Sequence, residues 1–305
     1  MKVRIVCYED LHKWILGKFA LRLAENLKKV GVTVDIAKTP DPLADINHHI
    51  IYYNYDGAKT TTETVMITHI DTPEKLNQLK LQLVLAEMGI CMSNDTVQKL
   101  AAQGLPRQKL CFVNPAHDQV MKPRKTVIGI TSKVQPTGCK RESMLAQLSE
   151  VIPPNEFKFM IMGSGWEAVI KILRQAGIEI EYYKQFDYKT YVKWMPTFDY
   201  YLYMGQDEGS MGFVDALAAG IPTIVTPQGY HLDAQAGITY AFNEFDELVE
   251  IFREIAEPKS RRVQSVSAWT WAEYARKHLL IWEYILARKK GPLEPFPELI
   301  QLGVR

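Results

Sequence analysis

Short apolar runs rich in β-branched residues alternate with helix-like patterns from residue 1 to about residue 120, and the same alternation starts again at residue 126. Such a chain is committed to parallel α/β sheets, because each strand needs a crossover, usually a helix, to bring the next one in alongside it. In the first half the strand patterns fall at residues 3–8, 32–37, 49–53, 65–68, 89–92 and 110–113. Between the first two, Phe19, Leu21, Leu23, Leu27 and Val30 recur at roughly helical spacing and Gly31 closes the element. A second helix is expected over residues 73–85, with Asp71 or Thr72 as its N-cap and Pro73 in its first turn, where a missing N–H costs little.

The second run of alternation places strands at residues 126–130, 157–162, 179–183, 200–204 and 222–226, with helices at 141–151, 166–176, 188–195 and 212–219. A length of 305 residues suits two cores better than one. Residues 114–125 (NPAHDQVMKPRK) carry two prolines and a charge cluster between strand patterns, which marks the link between them. The expected division is a Rossmann-like domain over residues 1–120, completed by a C-terminal helical region at 269–305, and a second over 121–268. Trp269, Trp271, Tyr274, Leu279, Trp282 and Tyr284 in that last region are read as core or interdomain packing.

Composition narrows the function. With 47% hydrophobic and 23% charged residues and no apolar stretch near the roughly 18–20 residues a membrane span needs, a soluble globular protein is expected. The N-terminal run is followed at once by Glu9 and Asp10, the wrong order for a secretory signal. Cys7, Cys91, Cys111 and Cys139 show no paired spacing, so neither a zinc site nor a disulfide framework is implied and a reducing cytoplasm fits. A net charge of +1 gives no strong field for nucleic acid, although Lys122, Arg124, Lys125, Lys133, Lys140 and Arg141 form a local basic cluster. No Ser-His-Asp order, nucleophile elbow or P-loop appears, and His48-His49 reads as a strand edge in preference to a metal site.

The richest stretch is DEGSMGFVDALAAG, Asp207 to Gly220, after the apolar run FDYYLYM and before IPTIVTP. Gly209, Ser210, Met211 and Gly212 form a turn entering a helix, and the free N–H groups and positive dipole end there suit a phosphate. Asp207 and Asp215 flank it with seven residues between them. A carboxylate accepts paired sugar hydroxyls well, so two of them around a phosphate cradle describe a ribose on one side and a hexose on the other.

This stretch resembles the retaining GT-B glycosyltransferases of family four, in which an acidic pair at this spacing is followed by Ala, a hydrophobe, Ala, a small residue and Gly, as in Asp215-Ala216-Leu217-Ala218-Ala219-Gly220. The resemblance extends through residues 158–165 (KFMIMGSG) and 191–204 and covers most of the second half. It implies two Rossmann-like domains facing each other across a cleft, with a nucleotide-diphosphate sugar as donor substrate in the second domain and a sugar, lipid-linked or small-molecule acceptor on the first. It also implies metal-independent transfer with retention, with no cofactor. Lys133 and Lys140 stand where the family grips the diphosphate, and cations aimed at the leaving oxygen lower the barrier to its departure. Asp215 would hold the ribose, Asp207 or Glu208 the donor sugar, and His69, at the end of VMITHID, would face the reaction centre. Gly17, in the HKWILG loop, would lie near phosphate or acceptor, with Asn54 and Asp56 on the acceptor side.

The chain departs from the family in three places. Aspartates replace the usual glutamates, with Glu208 beside the first; Lys133 replaces an arginine, giving a point charge in place of a bidentate fork; and the HKWILG loop lacks paired glycines. A GT-B sugar-nucleotide epimerase would share the donor cradle, and a non-catalytic nucleotide-sugar-binding subunit would tolerate the departures. A nucleic-acid acceptor is disfavoured by the near-neutral charge. No transmembrane segment is expected; peripheral membrane contact to reach a lipid-linked acceptor stays open, although no amphipathic basic helix in the first domain demands it.

Overall fold

In a computed structural model, which describes residues 1–57, 60–234 and 236–305, the first apolar run forms β1 (Lys2–Val6) and leads into α1 (Ile15–Lys29). α1 buries Phe19, Ala20, Leu23, Ala24 and Leu27 on one face and ends where Gly31 takes a left-handed conformation. β2 (Thr33–Ala37), β3 (Ile46–His49) and β4 (Glu63–Ile67) follow, then α2 (Pro73–Leu85), capped by the Thr72 hydroxyl accepting from the Lys75 N–H at 3.3 Å. Asp71 pairs instead with the Lys75 ammonium at 2.5 Å. β5 (Met88–Cys91), α3 (Asn94–Ala102) and β6 (Leu110–Phe112) complete a parallel sheet in the order β2-β1-β3-β4-β5-β6.

The second sheet takes β7 (Thr126–Thr131), α4 (Glu142–Val151), β8 (Phe157–Met162), α5 (Glu167–Gln175), β9 (Glu179–Tyr183) and α6 (Tyr188–Trp194). It continues through β10 (Tyr200–Tyr203), α7 (Met211–Ala218), β11 (Thr223–Val225), β12 (Tyr240–Ala241) and α8 (Phe245–Ser265). Its strands are all parallel, in the order β12-β11-β10-β7-β8-β9. α9 (Trp271–Arg288) and α10 (Pro297–Gln301) close the chain. The chain divides into a unit of Met1–Met121 with Val266–Arg305 and a unit of Lys122–Ser265, each a Rossmann-like parallel sheet with flanking helices.

The aromatic residues of α9 belong to the core of the first unit. Trp271, Tyr274, Trp282 and Tyr284 are buried with Phe19, Leu23 and Ile46, and the Phe19 ring meets Trp271 and Tyr274 edge-on at 5.2 and 5.6 Å. Burying each such side chain stabilises the unit by about 1.5–3 kcal/mol.

One strand differs from expectation. The pattern predicts a strand at 49–53, whereas β3 ends at His49 and residues Tyr52–Asn54 make a short 3₁₀ turn. β3 reads INHH because its polar side chains are buried and matched by tertiary partners. His48 faces the Thr64 hydroxyl at 3.0 Å on one side of the sheet and His49 the Glu63 carboxylate at 2.8 Å on the other. Glu63 also accepts from Thr60 and Asn47; burial raises its pKa, and the bonds from His49 and Thr60 more than reverse this, holding it below the usual carboxylate range. The two histidines thus point apart, as neighbours on a strand must, and do not share a ligand.

Candidate functional site

In the second sheet the chain runs outward from β7 to β8 and β9, then returns to β10 on the other flank of β7. The connections after β7 and β10 therefore diverge, and a crevice opens at the carboxyl ends of these strands, the place where open α/β sheets bind ligands. A pocket of about 610 Å³ lies there, reaching from the start of α7 past Lys133 and Gly163 to Phe186 and Tyr188.

Two glycines shape it. A Cβ on Gly212 would lie 2.3 Å from both the Thr131 Oγ1 and Tyr201 Oη, so only a residue without one lets the first turn of α7 settle onto the strand ends. Gly163 has φ of 132°, and a Cβ there would come within 2.1 Å of the Ser132 carbonyl oxygen. The connections after β7 and β8 are laced together at this point: the Trp166 indole donates to the Ser132 carbonyl at 2.7 Å and the Val134 N–H to that of Ser164 at 2.9 Å. Lys133 stands between those two anchored residues, exposed, lining the pocket and making no ion pair among the described residues.

The backbone donors at the start of α7 are unequally free. The Gly209 N–H donates to Asp207 Oδ1 at 3.1 Å and the Ser210 N–H to His231 Nε2 at 2.9 Å. The Ser210 hydroxyl is held by the buried Tyr201 at 2.6 Å and does not cap the helix. Among the described residues, the Met211 and Gly212 N–H groups have no protein partner, and both residues line the pocket. His231 is fully buried, and its Nδ1 faces the Thr226 carbonyl at 3.1 Å. Nδ1 is therefore the donor and Nε2 the acceptor, a neutral ring that burial also favours by lowering its pKa.

Asp207 and Lys140 are brought to each other. The Lys140 ammonium donates to the Asp207 carboxylate and lies 2.5 Å from the Tyr203 hydroxyl, which itself donates to Asp207 Oδ1 at 2.5 Å. Burial raises the Asp207 pKa, and the hydrogen bonds from Lys140, Tyr203 and the Gly209 amide more than reverse this, holding it below the usual carboxylate range. Glu208, next in sequence, is exposed. Neither Lys140 nor Asp207 nor Glu208 lines the pocket, whereas Lys133, Ser210, Met211, Gly212 and Asp215 do. The basic cluster seen in the sequence is partly engaged locally: Arg124 pairs with Asp199, Lys125 with Glu179, and Arg141 donates to the neutral Met204 and Asn243 carbonyls and to Thr226.

Asp215 reaches the pocket from α7 and accepts a hydrogen bond from the Tyr191 hydroxyl. Burial and this carboxylate push the Tyr191 phenol upward, so it remains a neutral donor. The Tyr191 ring packs on Phe186 with centroids 5.3 Å apart. Phe186 and Tyr188 are 65% and 68% exposed, unusual for aromatic side chains that no protein surface covers, and they form the far wall of the pocket.

His69 and Gly17 belong to the first unit. His69 is exposed at the carboxyl end of β4, beside Thr68, Asp71 and Asp95 in a depression of about 310 Å³, and its carbonyl accepts from the Tyr52 hydroxyl at 2.7 Å. Gly17 is buried in the first turn of α1, where a Cβ would lie 2.5 Å from the Asp10 carbonyl oxygen; the close approach of its own chain accounts for the glycine. Asn54 ends the 3₁₀ turn and Asp56 follows it. Sequence reasoning missed His231, Tyr191, Tyr203 and the Phe186 wall. Only the aromatic cluster YYKQFDYKTY, which includes Tyr191, gave a local signal; Tyr203 and His231 act on residues 4 and 21 positions away.

Among the described residues, no group of three or more His, Cys, Asp or Glu is placed to hold a metal ion, and no helix is long and apolar enough to cross a membrane. No protein-family model matches the chain, and no curated protein matches its sequence. Solved structures similar to it include the apo form of the lipopolysaccharide outer core galactosyltransferase WaaB (13% identity, TM-score 0.38, 95% of this chain and 100% of the other). Anabaena HepE in complex with UDP and glucose has 14% identity and a TM-score of 0.35 over 95% of this chain and 98% of its own. Sucrose-phosphate synthase from Thermosynechococcus elongatus has 11% identity and a TM-score of 0.38 over 94% and 99%.

Proposed function

We propose that the chain is a glycosyltransferase that takes a sugar from a nucleoside diphosphate sugar, with the donor held in the pocket of the second unit. The observation that carries this is the meeting, at one switch point, of an ammonium (Lys133) and two helix N-terminal amides (Met211 and Gly212) that have no partner among the described residues, and a carboxylate (Asp215). An anion binds the first two and hydroxyls bind the third. The resemblance of Asp207–Gly220 to retaining GT-B transferases supports transfer, with retention, to a sugar, lipid-linked or small-molecule acceptor.

As the nucleoside diphosphate leaves, negative charge grows on its oxygen, and Lys133 with the two amides offers fixed positive charge to meet it. Removing one such donor costs on the order of 3–4 kcal/mol in the transition state of other enzymes. Glu208 is the better candidate for the donor sugar, since Asp207 is engaged by Lys140 and Tyr203. His69 is assigned to the acceptor side.

That same lock on Asp207 favours one second reading, a subunit that binds a nucleotide sugar without transferring it. UDP-, GDP-, ADP-, TDP- and CMP-linked sugars, scored by thermal shift and slow donor hydrolysis on wild type and Lys133→Ala, separate the two. Transfer predicts that one diphosphate donor raises the melting midpoint and is slowly hydrolysed, and that both effects vanish in the variant. A hundredfold excess over Kd adds about 2.7 kcal/mol of stability. Stabilisation without hydrolysis selects the binding subunit, and no response to any donor overturns both.

A further inference from the structure

The pocket reaches from the start of α7 across the carboxyl ends of three neighbouring strands, β7, β8 and β9. From β7 to β9 alone it covers two inter-strand steps, roughly 10 Å. Its chemistry changes along that length, from the α7 amides and Lys133 at one end to Phe186 and Tyr188 beyond β9. Asp215 has its Oδ2 held by Tyr191, and among the described residues its Oδ1 is without a partner. Tyr191 therefore touches both halves of the site: its hydroxyl orients the carboxylate and its ring backs Phe186.

We infer that Tyr191 is a positioning residue that couples recognition of a ribose diol by Asp215 to stacking of the base on Phe186, so that the site selects an intact ribonucleoside diphosphate. This rests on the donor reading above. A carboxylate free to rotate gains less from a diol than one whose second oxygen is already fixed, because the bond must first order the side chain. Phe186, exposed and backed by a second ring, offers a flat face on which any base stacks. Tyr191→Phe keeps the ring and removes only the hydroxyl that holds Asp215.

The test uses the full chain and three probes measured by calorimetry: the tightest binder among UDP, GDP and ADP, its 2′,3′-dideoxy counterpart, and inorganic pyrophosphate. Wild type should prefer the ribonucleotide to the dideoxy form by about tenfold, the worth of one charge-assisted hydrogen bond. In Tyr191→Phe that preference should fall severalfold while pyrophosphate affinity holds. In Phe186→Ala both nucleotides should weaken by about tenfold, the size of one base–aromatic stack, again sparing pyrophosphate. Phe186 is exposed, so that variant tests the base side even if Tyr191→Phe lowers the melting midpoint. An unchanged ribose preference in a folded Tyr191→Phe, or no nucleotide loss in Phe186→Ala, overturns the coupling. In that case Lys133→Ala still abolishes all three affinities if the donor reading stands. If none of the probes binds wild type, both fall together.

Discussion

Gly212→Ala tests how tightly the proposed anion site is built, because the consequences of one methyl group can be worked from the distances. The new Cβ would sit 2.3 Å from Thr131 Oγ1, 2.3 Å from Tyr201 Oη and 2.6 Å from Tyr201 Cζ, all well inside contact distance. Tyr201 has no room to yield: it is fully buried, and its hydroxyl bonds Ser210 at 2.6 Å and Thr131 at 3.0 Å. Alanine gains about 1 kcal/mol of helix propensity over glycine. Against this stand an overpacking cost of about 1–3 kcal/mol and about 1–3 kcal/mol if a buried hydroxyl loses its partner.

The net expectation is a loss of about 2 kcal/mol from the second unit, which for its size lowers Tm by about 6 °C. The same displacement moves the Met211 and Gly212 amides, so pyrophosphate affinity should drop by about tenfold, the worth of one charged hydrogen bond. Differential scanning calorimetry and calorimetric titration read the two effects. Gly291→Ala is the control, since a Cβ there meets nothing within 4 Å. A Gly212→Ala chain that melts with wild type and binds pyrophosphate equally would refute the idea that this glycine sets the helix against the strand ends.

Three further outcomes follow from the same contacts. His231→Ala leaves the Ser210 N–H and Thr226 carbonyl without their partner and opens a cavity beside Phe213, and should cost about 3 kcal/mol in urea unfolding. Lys140→Met should cost about 1 kcal/mol at pH 7. Because Asp207 titrates below its unfolded value, that loss should disappear as pH falls through the folded value, where the wild type no longer benefits. In the first unit, burial lowers His48 well below its ordinary value and His278 to about 4. The unfolded chain therefore takes up protons first as pH falls below about 6.5, and stability is lost progressively toward pH 4, by about 2 kcal/mol at pH 5 for His278 alone. Urea midpoints between pH 7 and 5 should show this slope, and His278→Phe should flatten it.

What could be read in the sequence was whatever is written locally. Most strands of both units announce themselves as apolar runs, and residues 207–220 suggest an anion turn because glycines, carboxylates and the following helix are all within one short segment. β3 was misplaced because a strand whose polar side chains are paid for by tertiary partners carries no apolar signature; Asn47, His48 and His49 find Glu63 and Thr64 only once β4 lies alongside. α8 was not anticipated, although Leu248, Val249, Ile251 and Phe252, its buried residues, recur at helical spacing before Pro258.

The accounting of amides at α7 shows why a motif alone under-determines a site. Four residues, Gly209 to Gly212, read equally well as phosphate donors, yet an Asp two positions before and a His 21 positions after take the first two N–H groups. The withdrawal leaves adjacent donors at Met211 and Gly212, pointing from the first turn of a helix whose dipole favours negative charge. Two donors and a lysine unpaired among the described residues suit the oxygens of a phosphoryl group better than those of a neutral sugar, as the donor reading proposes. Asp215, one helical turn further along α7, is then set for the hydroxyls next to that phosphate. On the proposed donor reading, the order of groups along the helix matches the order of groups along a nucleotide, and it follows from which backbone donors the protein has already used.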